Sequence, residues 1–221
     1  MQPPAQFHTQ KYRQLLLVLT LTLVISPFLQ VGIGSILSAA LLLYTIILII
    51  KSFRLPRTWV SIYMAIALTA FGLQSSASLG WTPTFNQSLG VIAQAIFALY
   101  LGVAAYWIGR DIFTEPEVTG DTVRGGISVY LLLGFVWALF YGIIETLDTH
   151  AFSQPLLNQG TYLKTLYFSF TTLTTLGYGD VIPVSEPAQV LTNMEAIIGQ
   201  MYSTVFIAIL VGGYLARRSE E

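Results

Sequence analysis

The residues of this chain best suited to chemistry stand together as Thr174-Thr175-Leu176-Gly177-Tyr178-Gly179-Asp180. The threonines supply hydroxyl oxygens. The two glycines, one residue apart, reach left-handed backbone conformations without a Cβ clash. Such a segment is suited to coordination by oxygen rather than to covalent catalysis. The usual catalytic signatures are missing: there is no HExxH motif, no GxSxG elbow, no P-loop and no cysteine. His8 and His150 are isolated, lack metal-ligand spacing and read as solvated.

What must position this segment follows from composition. The 221 residues are 54% hydrophobic and only 10% charged, against about 25% charged in a soluble domain, which makes this a membrane protein. The net charge of −1 suggests neither a nucleic-acid partner nor a polybasic surface domain. Lys11 and Arg13 precede an apolar run as in a signal peptide, but no small-residue cleavage site follows Ile25-Ser26-Pro27. A retained helix is expected there.

Crossing a hydrocarbon core about 30 Å thick takes about 20 apolar helical residues. Six spans are expected, at 15–30, 32–50, 58–73, 89–108, 127–144 and 191–215. No charge interrupts 15–50, yet one helix of that length would run about 54 Å. Pro27, Gly32 and Gly34 break it into a hairpin. With both termini cytoplasmic, Lys11, Arg13, Lys51, Arg54, Arg57, Arg110, Arg124, Arg217 and Arg218 all fall inside, and only Lys164 outside. This divides the chain into a tail at 1–14, a four-helix scaffold at 15–108, a solvated linker at 109–126, a two-helix half at 127–215 and a tail at 216–221. No soluble regulatory domain is expected in this chain.

Between the last two spans, 161–174 is apolar and hydroxyl-rich but only about 20 Å long as a helix. It enters the membrane without crossing and runs into the 174–180 segment. Non-helical backbone at membrane depth is tolerated only where it lines a cavity. Here the sequence resembles the potassium-channel pore family, on TTLGYGD at 174–180, the preceding pair Tyr167-Phe168 and the following Pro183. The resemblance covers roughly 127–215. Leu176 departs from the family's valine or isoleucine.

The resemblance implies an all-α membrane protein of six transmembrane helices, with a re-entrant pore helix and selectivity filter between helices 5 and 6. It implies a homotetramer in membrane lipid, since one filter strand per chain needs four chains around an axis. The permeant ion is K+, and no organic cofactor is expected. The backbone carbonyls of Thr175, Leu176, Gly177 and Tyr178, with the Thr175 hydroxyl, replace the ion's water shell. The Leu176 and Tyr178 side chains point away and pack the filter against the pore helix. Thr174, Gly179 and Asp180 complete the segment, with Tyr167 placed to hydrogen-bond Asp180. An ordinary glycine turn is the plain alternative to a filter. The threonines, the aspartate, the half-length helix and the flanking spans weigh against it. A non-selective cation channel is the other channel reading, disfavoured by Tyr178 and left some room by Leu176. A potassium-uptake subunit would carry four degenerate repeats in a longer chain.

The remaining residues of interest support this pore. Glu195 is the only carboxylate inside an expected span, hence a functional candidate. It is expected as a buried strut behind the filter, beside Thr171 and Thr172, with a proton sensor as the sharper reading. Gly199 is a hinge or a packing glycine. Gln200, Ser203 and Ile207, continued by Val211 and Leu215, form a stripe for a central cavity. Glu145, Asp148 and Glu186 are mouth charges or ordinary loop charges. The fourth span has no lysine or arginine, so little voltage dependence is expected. Small size leans towards a bacterial inner (plasma) membrane.

Overall fold

The computed structural model describes residues 12–25, 86–114, 118–157 and 163–218, with the single positions 44 and 69. The described residues form helices α1 (Arg13–Ile25), α2 (Asn86–Thr114), α3 (Gly120–Leu147), α4 (Leu163–Leu173) and α5 (Glu186–Arg218). They contain no strand beyond an isolated antiparallel bridge between Phe152 and Pro183.

An all-helical membrane protein is what these residues show. Among the described residues three stretches are long and apolar enough to cross a bilayer: Gly90–Thr114, Gly120–Leu147 and Glu186–Gly213. The 11 residues of α4 reach only about 16 Å, roughly half the hydrocarbon thickness. Of the six expected spans, 32–50 and 58–73 lie outside the described residues apart from positions 44 and 69, and 15–30 is described only to Ile25.

The stretch 109–126, expected as a solvated linker, is mostly helical. α2 continues to Thr114 and α3 resumes at Gly120. The charges there read as loop residues, but several are engaged. Asp111 accepts the Tyr12 hydroxyl, and Asp121 accepts the Tyr12 N–H at 3.3 Å. Arg124 lies 3.8 Å from Asp121, and Arg110 sits 5.3 Å from the centre of the Trp107 ring. Thr119 closes the first turn of α3 reciprocally, accepting the Thr122 N–H at 3.2 Å while its own N–H donates to Thr122 Oγ1 at 3.1 Å. Asp121 in that turn faces the positive end of the helix dipole.

α3 is the hub, packing on all four other helices. Along one part of it, Leu15 and Leu19 of α1, Leu101 and Ile108 of α2, and Phe206 of α5 gather on Leu132 and Phe135. Along the other, Trp137 and Tyr141 meet Phe152, Phe168 and Leu173. There Tyr141, Phe152 and Phe168 pack edge to face at 4.8–5.7 Å, a geometry favoured by aromatic quadrupoles. Towards the start of α3, the tip of the Phe206 ring packs against Gly126, and the Tyr202 hydroxyl donates to the Gly126 carbonyl at 2.8 Å.

Any side chain at residue 126 would enter the Phe206 ring. Gly126→Val is expected to destabilise the protein by about 1–3 kcal/mol through overpacking. Gly102→Ala, in the interior of α2 and facing open space, is expected to be neutral or stabilising by up to about 1 kcal/mol. Thermal unfolding of both variants in detergent checks the contrast.

Candidate functional site

The candidate filter begins where α4 stops. The Phe170 carbonyl accepts both the Thr174 N–H at 3.1 Å and the Thr174 hydroxyl at 2.6 Å. The Thr175 N–H turns back to the Thr172 carbonyl at 2.9 Å, and the Gly177 N–H reaches the Thr171 carbonyl at 3.1 Å. Backbone handedness then alternates. φ is +58° at Thr175, +51° at Gly177 and +78° at Gly179, while Leu176 and Tyr178 are not in the positive region. Glycine adopts these angles freely. A β-branched threonine does not, and such a residue persists only where its surroundings over-determine it, at a cost of about 1–3 kcal/mol. Reading the sequence singled out the two glycines and missed Thr175 as the third left-handed position.

Residues 174–180 are all exposed on the single chain. Leu176 is 55% exposed and Tyr178 67%, so α4 of the same chain leaves much of both side chains uncovered. Tyr178 does stack parallel on Tyr167, with ring centres 6.2 Å apart. The Tyr167 hydroxyl donates to Asp180 Oδ2 at 2.9 Å. Gln154 Nε2 donates to the Asp180 carbonyl at 3.0 Å. Ser153 and Ile182 exchange bonds of 2.9 and 3.0 Å, and the Val184 N–H reaches the Ala151 carbonyl at 2.7 Å. The chain leaving the candidate filter is thereby fastened to the loop after α3. On the other side, the Tyr130 hydroxyl holds the Leu173 carbonyl at 3.1 Å.

Glu195 is fully buried, and its partners differ from those expected. Ser169 Oγ lies 2.6 Å from Oε1, and the Tyr141 hydroxyl donates to Oε2. Thr171 instead donates to the Phe168 carbonyl of its own helix at 2.9 Å. Helix phase explains the exchange, since residues 169 and 171 project about 200° apart and α5 lies on the Ser169 side. A serine between Phe168 and Phe170, and a phenol near the end of an expected span at Tyr141, were the available signals for these partners. Gly199 is a close-packing position: a Cβ there would meet the Leu173 carbonyl oxygen and lie 2.9 Å from Leu173 Cδ1.

Among the cavity candidates, Gln200 and Ile207 are exposed, whereas Ser203 is half-buried and donates to the Gly199 carbonyl at 3.0 Å. Val211 is also exposed. The side chain of Leu215 lies outside the described residues. Glu145 is buried, and among the described residues its Oε2 has no hydrogen-bond partner. Asp148 caps the end of α3 and accepts the His150 N–H at 3.0 Å.

Residues 126–213, which contain α3, α4, the candidate filter and most of α5, match the family described as ion channel. The chain is 26% identical over 165 residues to the voltage-gated potassium channel Kch of Escherichia coli (strain K12), 67% of this chain and 37% of that protein. It is 25% identical over 111 residues to two pore potassium channel a of Oryza sativa subsp. japonica, 50% of this chain and 29% of that protein. A third relative is potassium voltage-gated channel subfamily A member 7 of Mus musculus, 24% identical over 107 residues, 44% of this chain and 20% of that protein. Residues 126–213 thus match an ion-channel family, and the three relatives are potassium channels by name. This is a channel family and not an enzyme family. The chain spans little more than a third of the length of Kch, and less of the other two. No solved structure matches the chain.

If the Tyr167–Asp180 bond braces the segment, Tyr167→Phe and Asp180→Asn are each expected to lower stability by about 1 kcal/mol, and together by less than the sum. A double-mutant cycle on thermal unfolding measures the shortfall.

Proposed function

We propose that this chain is one subunit of a potassium-selective channel in which four copies surround a common axis. The observation that carries the reading is the left-handed backbone at every second residue, 175, 177 and 179, in a segment that follows a half-length helix. Alternating handedness turns successive peptide planes the same way, so the carbonyls of Thr175, Leu176, Gly177 and Tyr178 present a column of oxygens to one side. Four such columns, with the Thr175 hydroxyls at the inner end, replace the water shell of K+. Adjacent sites let ions repel one another onward. α4 enters as the re-entrant pore helix, and its C-terminal dipole end favours a cation below the filter.

The open face of α5 supports assembly. Only 11% of its most apolar stretch is buried within the chain, and Ile197, Met201, Val205 and Ile207 are exposed along it. In the assembly, neighbouring subunits and the cavity occupy that face, with Gln200 and Ile207 towards the axis.

The full plan is six spans with both termini cytoplasmic, in a bacterial inner membrane, with the first four helices as scaffold. α2 carries one cation, Arg110, near its end over Trp107. A single terminal charge gives the membrane field little to move, so conduction depends weakly or not at all on voltage.

Ion flux from proteoliposomes under potassium or sodium gradients tests the proposal. Potassium-preferring, barium-sensitive flux is expected, and Gly177→Ser is expected to abolish it or its selectivity. Equal sodium and potassium flux would replace this reading with the non-selective channel that Leu176 leaves open.

A further inference from the structure

The hydrogen bonds around Glu195 fix where protons must be. Ser169 Oγ lies 2.8 Å from the Gly134 carbonyl of α3 and 2.6 Å from Glu195 Oε1 of α5, and all three groups are buried. A serine hydroxyl has one proton to give. It cannot donate to the carbonyl and the carboxylate at once. With Glu195 ionised, one of these two short oxygen contacts has no proton in it. With Glu195 protonated, every contact is filled. Tyr141 donates to Oε2, Oε1–H donates to Ser169 Oγ, and Ser169 donates to the Gly134 carbonyl.

We propose that Glu195 works as a neutral carboxylic acid, the proton-dependent positioning residue that joins α3, α4 and α5 behind the candidate filter. The groups facing it agree with this assignment. From α3 come the phenols of Tyr141 and, farther off, Tyr130, and from its own helix Thr192 lies beside Tyr141. From α4 Ser169 faces it. The ionisable residues of that helix are engaged elsewhere, Lys164 on the Pro155 carbonyl and Tyr167 on Asp180. Among the described residues no cation lies against Glu195.

The relay sits one turn from the candidate filter along each element. Ser169 precedes the Thr171 and Thr172 carbonyls that hold the Gly177 and Thr175 N–H groups. Gly199, one turn beyond Glu195, rests on Leu173. Removing the proton puts a negative charge into this packing and takes the Ser169 hydroxyl away from Gly134. The sign follows: support for the filter is complete while Glu195 is protonated and is lost as pH rises through its ionisation.

This inference rests on the channel reading for its functional arm only. Infrared spectroscopy of the purified full chain is expected to show a protonated-carboxyl band at neutral pH. The band should be missing in Glu195→Gln, retained in Glu145→Gln, displaced in Ser169→Ala, and lost on alkaline titration. Potassium flux from the wild type is expected to fall over the same range, at least about tenfold per pH unit past the midpoint, the slope of one proton. Flux through Glu195→Gln, which keeps a donor in place, should stay flat. The proposal is overturned if no band at neutral pH belongs to residue 195. It also fails if the band survives to the alkaline limit of the folded protein, or if Glu195→Gln keeps the wild-type alkaline fall. If Glu195→Gln does not assemble, displacement of the wild-type band by Ser169→Ala decides, and an unmoved band overturns the assignment. Absence of wild-type flux at every pH would count against the channel reading and leave the infrared result to stand alone.

Discussion

Backbone that leaves helical geometry inside a bilayer must find partners for its polar groups, because hydrocarbon supplies none. The segment after α4, which the proposed channel puts at membrane depth, meets that constraint on one side only. The N–H groups of Thr174, Thr175 and Gly177 turn back onto carbonyls of α4. Beyond Asp180, the chain bonds to the loop at 151–154. Much of the surrounding architecture serves this arrangement. α4 has to stop at Leu173, short of a crossing. α3 has to reach behind it with Tyr130 and Tyr141, and α5 has to come close enough that only glycine fits at residue 199.

The same constraint explains why an energetically awkward residue is kept. Thr175 stands at positive φ, where a glycine would be easier. Its N–H is fixed by Thr172, and two residues on Gly177 is fixed by Thr171. Anchored at both points, the chain between has little choice of handedness. A threonine at that place contributes a hydroxyl that glycine lacks, and in the proposed channel that hydroxyl is an ion ligand.

What could be read from the sequence was what is local. The 174–180 pattern, the half-length helix before it and the apolar spans at 127–144 and 191–215 are contiguous signals. The short helix and the two spans have their counterparts in α4, α3 and α5, and the pattern in the segment of alternating handedness between α4 and α5. What could not be read depends on how helices are turned against each other. Glu195 was visible as an odd carboxylate, but its partners Ser169 and Tyr141 follow from the rotation of α4 and α3 about their axes. The charges at 110–124 looked like a solvated linker because pairing across three helix ends, through Tyr12, leaves no trace in spacing. Thr175 escaped notice because local propensity assigns positive φ to glycine, and here long-range hydrogen bonds override it.

The contact of Tyr202 and Phe206 with Gly126 has a mechanical consequence. It rivets the middle of α5 to the first turns of α3, and those turns are themselves stitched to the start of α1 and the end of α2 around Tyr12. α5 at this level is therefore not a free arm. A swing of α5 either uncovers an aromatic ring and breaks the Tyr202 bond, or drags α3 and its two neighbours along with it. In the second case a tug on α1 or α2 at these helix ends travels to residue 206 as through a linkage of stiff rods.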